Sequence, residues 1–159
     1  MYPLSTIGTY LAALVALVDQ MTKSWIVRHV GGDNPSILTL NDWFNLVLSR
    51  NKGITFGLLN DHGEIARYLF IAVALTILVV LMSWLRKTTS IIEALGLGLV
   101  SGGAIGNIVD RLRFGAVIDF IDFHIENHHW YTFNVGDSAI CCGVILLMAE
   151  HLVTKPKKG

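Results

Sequence analysis

Charge is what this chain has least of. Only 15% of its residues are Asp, Glu, Lys or Arg, against roughly 25% in soluble domains, and the formal net charge is zero. With no surrounding field of one sign, nucleic acid is not an expected partner. Cysteine is nearly absent as well. Cys141 and Cys142 are adjacent inside an apolar run, a spacing that suits neither a structural disulfide nor a zinc site. No G-x-S-x-G elbow and no H-E-x-x-H occur, and Ser138 has no adjacent His, so the usual frames of serine hydrolases and zincins are missing. The glycine-rich stretch 96–106 has no lysine after it and is not a phosphate loop. Met1 to Ser5 lacks Lys and Arg, and the apolar run from Ile7 is broken by Asp19, Gln20 and Lys23 without a small-residue cleavage pattern. The first helix is therefore expected to be retained.

What the chain does have is apolar length. Hydrophobic residues make up 53% of 159 positions, which points to one integral membrane domain. Four spans are expected, at about 7–27, 65–85, 91–109 and 137–153; twenty-one residues at helical rise cover about 31 Å, the thickness of the hydrocarbon layer. The third span holds Gly96, Gly98, Ser101, Gly102, Gly103, Ala104 and Gly106, small residues that let it pack in the centre of the bundle. They are also expected to leave room for a cavity beside the reactive groups. Between spans, 41–57 alternates enough around Trp43 to Leu48 to read as one or two strands at the membrane surface, with Asn51 to Gly53 as a turn. Residues 110–136 form a polar excursion, expected to be a loop. Asn134 or Asp137 is placed to cap the last helix. Four spans put both termini on one side. Arg86, Lys87, Lys155, Lys157 and Lys158 share that side uncompensated, so it is expected to be cytoplasmic.

Six side chains then stand out, because they are acidic or amide groups in or beside the spans: Asp19, Asn51, Asn107, Asp110, Asp119 and Asp137. Each needs a partner, water or a chemical purpose. Asp119 and Asp137 are eighteen positions apart and would meet only if the intervening loop returns to the bundle. Two carboxylates brought together share a proton, and such a pair hydrolyses peptides with an activated water. Two plainer readings stand beside this. Each Asp caps a helix or pairs with Arg111 or Arg113, or the intramembrane acids form a proton or ion relay in a transporter. A non-catalytic scaffold built on Gly98, Gly102 and Gly106 is a further alternative. His124, His128 and His129 raise a metal site but read equally as an interfacial aromatic cluster. Asp19 and Lys23 have the i,i+4 spacing of an ion pair.

The motifs Val18-Asp19-Gln20-Met21-Thr22-Lys23, Arg50-Asn51-Lys52-Gly53-Ile54-Thr55-Phe56, Gly102 to Arg111, Val117-Ile118-Asp119-Phe120 and Phe133-Asn134-Val135-Gly136-Asp137-Ser138 together resemble the lipoprotein signal peptidase family, signal peptidase II. The resemblance implies a bacterial inner-membrane aspartyl endopeptidase: an all-α bundle of four transmembrane helices with a small extracytoplasmic β-sheet and a periplasmic loop and helix around 61–67. It implies that Asp119 and Asp137 are catalytic. It also implies that Asp19, Lys23, Asn51, Gly53, Asn107, Asp110, Arg111 and Asn134 support the site or contact substrate. The implied substrate is a prolipoprotein cut just before its diacylglyceryl-modified cysteine, in a phospholipid membrane, with neither cofactor nor metal; the sequence leaves the oligomeric state open, with a monomer favoured. Globomycin-like cyclic peptides are the implied inhibitors. The chain departs from the family at Gly136, where alanine is usual and a less constrained backbone is expected, and at Ile54.

Overall fold

The computed structural model describes residues 3–31, 37–53, 63–126 and 128–153. Four helices, α1 (Leu4–His29), α2 (Gly63–Leu85), α3 (Ile91–Phe114) and α4 (Val135–Val153), are each long and apolar enough to cross a bilayer. All four expected spans are present. α3 extends five residues beyond its expected end at 109, because Asp110 and Arg111 find partners inside the protein and Gly115 ends the helix. Gly115 adopts φ 73° and returns its N–H to the Arg111 carbonyl, a left-handed cap that glycine enters without a Cβ clash.

α3 is the axis of the bundle. More than half of its apolar stretch (56%) is buried, against at most 17% for the other three helices, and it packs on α1, α2 and α4. Its small residues make this possible, and at Gly96, Gly98, Gly102 and Gly103 the space they leave is occupied by neighbouring helices. A Cβ at Gly98 would stand 2.6 Å from the Gly8 carbonyl oxygen, and one at Gly102 2.6 Å from that of Ala12. The missing side chains are filled by the backbone of α1 on one face, while Gly96 and Gly103 receive α4 on another. Helices this close gain packing that lipid cannot supply. No Cα pair of α2 and α4 comes within 8 Å among the described residues, so the bundle is open on that side.

The polar excursions form a sheet at the end of the bundle remote from both termini. β1 (Leu38–Thr39), β2 (Phe44–Asn51), β3 (Val117–Ile125) and β4 (His128–His129) lie in the order β1-β2-β3-β4, all antiparallel. The second excursion is thus not a loop, as expected, but is built on a nine-residue strand. Its apolar residues are interrupted by Asp119 and Asp122, which masks the strand signal in the sequence. The β2–β3 register slips by one residue between Leu46 and Ser49, a bulge that redirects the end of β2. Beyond β4 the chain returns: Phe133 pairs with Ile121, its N–H donating to the Ile121 carbonyl and its carbonyl accepting the Ile121 N–H. Ile26 of α1 and Val30 just beyond its end pack with Phe120, Leu46, Leu48 and Val135 beneath this sheet, welding it to the helices. Of the loop expected at 61–67, residues 63–67 begin α2; Asp61 lies outside the described residues, as does Ile54.

Candidate active site

The returning chain sets Asn134 beside Asp119 and three residues before Asp137, and α4 starts at the next residue, Val135. Asn134 caps α4, its Oδ1 accepting the Asp137 N–H at 2.8 Å while an Asp137 carboxylate oxygen accepts the Asn134 N–H at 3.3 Å. This is a reciprocal capping box. With its backbone and Oδ1 committed to Asp137, Asn134 turns its Nδ2 to Asp119, donating at 2.6 Å. One buried residue therefore holds both aspartates.

Each aspartate has a second amide partner. Asn51, at the bulged end of β2, donates to the other oxygen of Asp119 at 2.9 Å. Its own Oδ1 accepts the Gly53 N–H, and Gly53, at φ 73°, completes the turn where a side chain would be strained and would press on Phe70. Asn107 of α3 donates to Asp137 at 2.9 Å. Asp119 is 2% exposed. Burial pushes its carboxyl above the ordinary aspartate range; the Asn51 bond opposes this, the neighbouring Asp137 charge reinforces it, and Asn134 and Lys23 oppose it. Neither Arg111 nor Arg113 is bonded to either aspartate among the described residues. Arg111 reaches the Asn107 carbonyl and lies over the Phe70 ring, and Arg113 bonds Gln20.

Beneath the pair lies a buried ionic cluster. Lys23 spends its three donors on Asp19 at 2.7 Å, Asp110 at 2.8 Å and Asn107 Oδ1 at 2.9 Å. The last bond fixes the Asn107 amide with its Nδ2 toward Asp137, since the ammonium can meet only an acceptor. Asp19 is seated where Gly106 has no Cβ and accepts the Gly136 N–H at 2.8 Å. A Cβ at Gly136 would stand 3.1 Å from Asp19, from Asn134 and from the Gly103 carbonyl. Gly136 is thus pinned, contrary to the looser backbone expected there. Asp110 accepts the Ile118 N–H at 3.0 Å, which anchors the residue before Asp119. The i,i+4 ion pair read from the sequence is therefore present, and it also reaches the aspartates.

The pair opens on a two-part cleft. Its polar part, about 420 Å³, is walled by Ser49 to Gly53, Asp119, Tyr131 and Thr132. Its apolar part, about 390 Å³, shares Tyr131 and Thr132 and runs along Asp137, Ser138, Cys141 and Cys142 of α4. Gln20, Tyr131 and Thr132 were not singled out by sequence reasoning. Gln20 carried a usable signal, an amide inside an apolar span; the other two become visible only when the strand returns. Away from the cleft, Asp122 accepts from Asn45 at 3.1 Å and meets His129 Nδ1 at 2.9 Å.

A family model described as Signal peptidase (SPase) II matches residues 11–153. The chain is similar to the lipoprotein signal peptidase of Rhodopseudomonas palustris strain TIE-1, 36% identical over 94% of each chain. It is 42% identical to that of Shewanella baltica strain OS195, over 91% of this chain and 85% of the relative. A bacterial membrane enzyme solved by the in meso method at 2.3 Å resolution superposes with a TM-score of 0.79 at 28% identity, covering 97% of this chain and 94% of the other. On the family match and these relatives, the chain belongs to the signal peptidase II family.

Proposed function

We propose that this aspartic endopeptidase of the membrane removes signal peptides from prolipoproteins with Asp119 and Asp137 as its catalytic pair. The observation that carries the assignment is Asn134, which bonds both carboxylates at the mouth of one cleft. A water between the two loses a proton to the ionised carboxylate as its oxygen adds to the scissile carbonyl carbon. The protonated carboxyl polarises the carbonyl oxygen. The carbon–nitrogen bond then breaks and the leaving nitrogen takes a proton from the pair. Burial and the neighbouring Asp137 charge push the Asp119 carboxyl up, and the two carboxylates hold the shared proton between them. Asn51 and Gly53 line the approach, Arg111 reaches the backbone of Asn107 behind the pair, and Asn107, Asp110, Asp19 and Lys23 hold the pair.

The apolar part of the cleft and the open side between α2 and α4 suit a substrate carrying a diacylglyceryl cysteine. Such a substrate enters sideways from the phospholipid without moving its acyl chains through water. Each buried methylene is worth about 0.8 kcal/mol, so the lipid supplies much of the binding. The sheet and cleft face the outer leaflet of the inner membrane, both termini are cytoplasmic, and the site is complete within a monomer. Globomycin-like cyclic peptides compete for the same cleft.

The test is cleavage of a diacylglyceryl-modified prolipoprotein by purified enzyme. Asp119→Asn and Asp137→Asn are expected to fold and to lose at least about 1,000-fold in kcat, and the unlipidated substrate to turn over poorly. Retained cleavage by either variant removes that residue from the pair. Equal kinetics for the two substrates refutes the lipid's role.

A further inference from the structure

Gln20 lies in α1 next to Asp19, is half-buried, and has no part in the hydrolysis described above. Its Nε2 donates to Asp110 Oδ1 at 2.8 Å and to the Gly106 carbonyl at 3.1 Å, and lies 3.4 Å from Asp19. Three acceptors on one side force the amide orientation. The Gln20 carbonyl oxygen is left to face the other way, where it accepts from the exposed Arg113 at 3.2 Å.

We infer that Gln20, backed by Arg113, is a positioning residue for the catalytic pair, acting through Asp110. This rests on the Asp119–Asp137 reading above. Asp110 leads to both aspartates. Its Oδ2 accepts the Ile118 N–H, which sets the strand position of Asp119, and also binds Lys23, which fixes the Asn107 amide that holds Asp137. Lys23 has no donor to spare, so Asp110 Oδ1 depends on Gln20. Asp19 and Asp110 share a single ammonium inside the protein, so each buried carboxylate needs further hydrogen-bond donors. Gln20 supplies a neutral one, and Arg113 polarises that amide from the surface through a chain of hydrogen bonds. Without Gln20, Asp110 draws Lys23 toward its bare oxygen and away from Asn107, and Asp137 loses its orientation.

The experiment measures kcat and KM separately on diacylglyceryl-modified prolipoprotein for Gln20→Met, Arg113→Gln, Arg113→Lys and the double variant Gln20→Met/Arg113→Gln. Removing a hydrogen bond to a buried charged group is worth about tenfold or more. Gln20→Met is therefore expected to lower kcat about tenfold with KM within about twofold, because no contact with substrate is lost. Arg113→Gln falls by a smaller factor, and Arg113→Lys restores most of it. The double variant matches Gln20→Met alone, since Arg113 acts only through Gln20. A wild-type kcat for Gln20→Met overturns the inference. So does a double variant whose loss is the product of the two single losses. If Gln20→Met fails to fold, exposed Arg113 keeps the test alive: Arg113→Gln with wild-type kcat overturns it alone. These outcomes are distinct from failure of the catalytic assignment, which shows as cleavage by Asp119→Asn or Asp137→Asn.

Discussion

Amides, not cations, do most of the holding around the two aspartates. Asn51, Asn107 and Asn134 each present an NH₂ to a carboxylate and a carbonyl to a donor, so each is oriented from behind by the group its oxygen accepts. An amide stabilises a carboxylate without adding a full charge that would keep it permanently ionised. The consequence is a pH dependence with a definite sign. Burial holds the Asp119 carboxyl above the ordinary range, so its proton persists to higher pH and kcat/KM falls as pH rises through that value. Asn51 opposes the shift by bonding the ionised form. Asn51→Ala is therefore expected to move the alkaline limb of kcat/KM to higher pH, along with any loss in rate. A limb that moves to lower pH contradicts the role given to Asn51. The acids and amides of this site were legible in the sequence because they interrupt apolar segments, where such residues need a reason. Their pairing was not, because nothing in positions 119 and 137 alone says that Phe133 returns to Ile121.

At the level of elements, α3 and β3 do the positioning. α3 is recognisable from its glycines, and its central place follows from them. The use of the space does not: Gly106 admits the Asp19 carboxylate and Gly103 the backbone of α4, which only facing helices reveal. β3 was read as part of a loop because Asp119 and Asp122 break its apolar run. Asp122 is the clamp of the sheet, binding Asn45 of β2 on one side and His129 of β4 on the other. Burial raises its carboxyl, but the His129 and Asn45 bonds and the His129 and His124 charges outweigh this and hold it below the ordinary range. A carboxylate depressed in the fold contributes stability that is fully present above its unfolded value and is lost as pH falls through its folded value. Thermal unfolding of wild type against Asp122→Asn should therefore show an advantage for wild type near neutral pH that is lost as pH falls below the ordinary aspartate range. An advantage that is unchanged at low pH contradicts the clamp's ionic character.

For the whole molecule, the four helices and the sheet divide two tasks. The bundle supplies a rigid apolar scaffold with one open side between α2 and α4, and the sheet closes over its end to bring a polar cleft against an apolar one. The membrane class of the chain and its four long apolar helices were readable from hydropathy, since lipid leaves the backbone few alternatives to helix. The open side was not, because it depends on which helices fail to touch. The two-part cleft predicts where a bound substrate must sit, with its peptide over Asn51 and its lipid along Cys141 and Cys142. The most direct measurement is a structure of the Asp119→Asn enzyme bound to an uncleaved diacylglyceryl-modified prolipoprotein peptide. The account predicts the scissile carbonyl between residues 119 and 137, with room for one water about 3 Å from its carbon. A peptide bond lying outside this cleft, or reaching only one of the two residues, would contradict it.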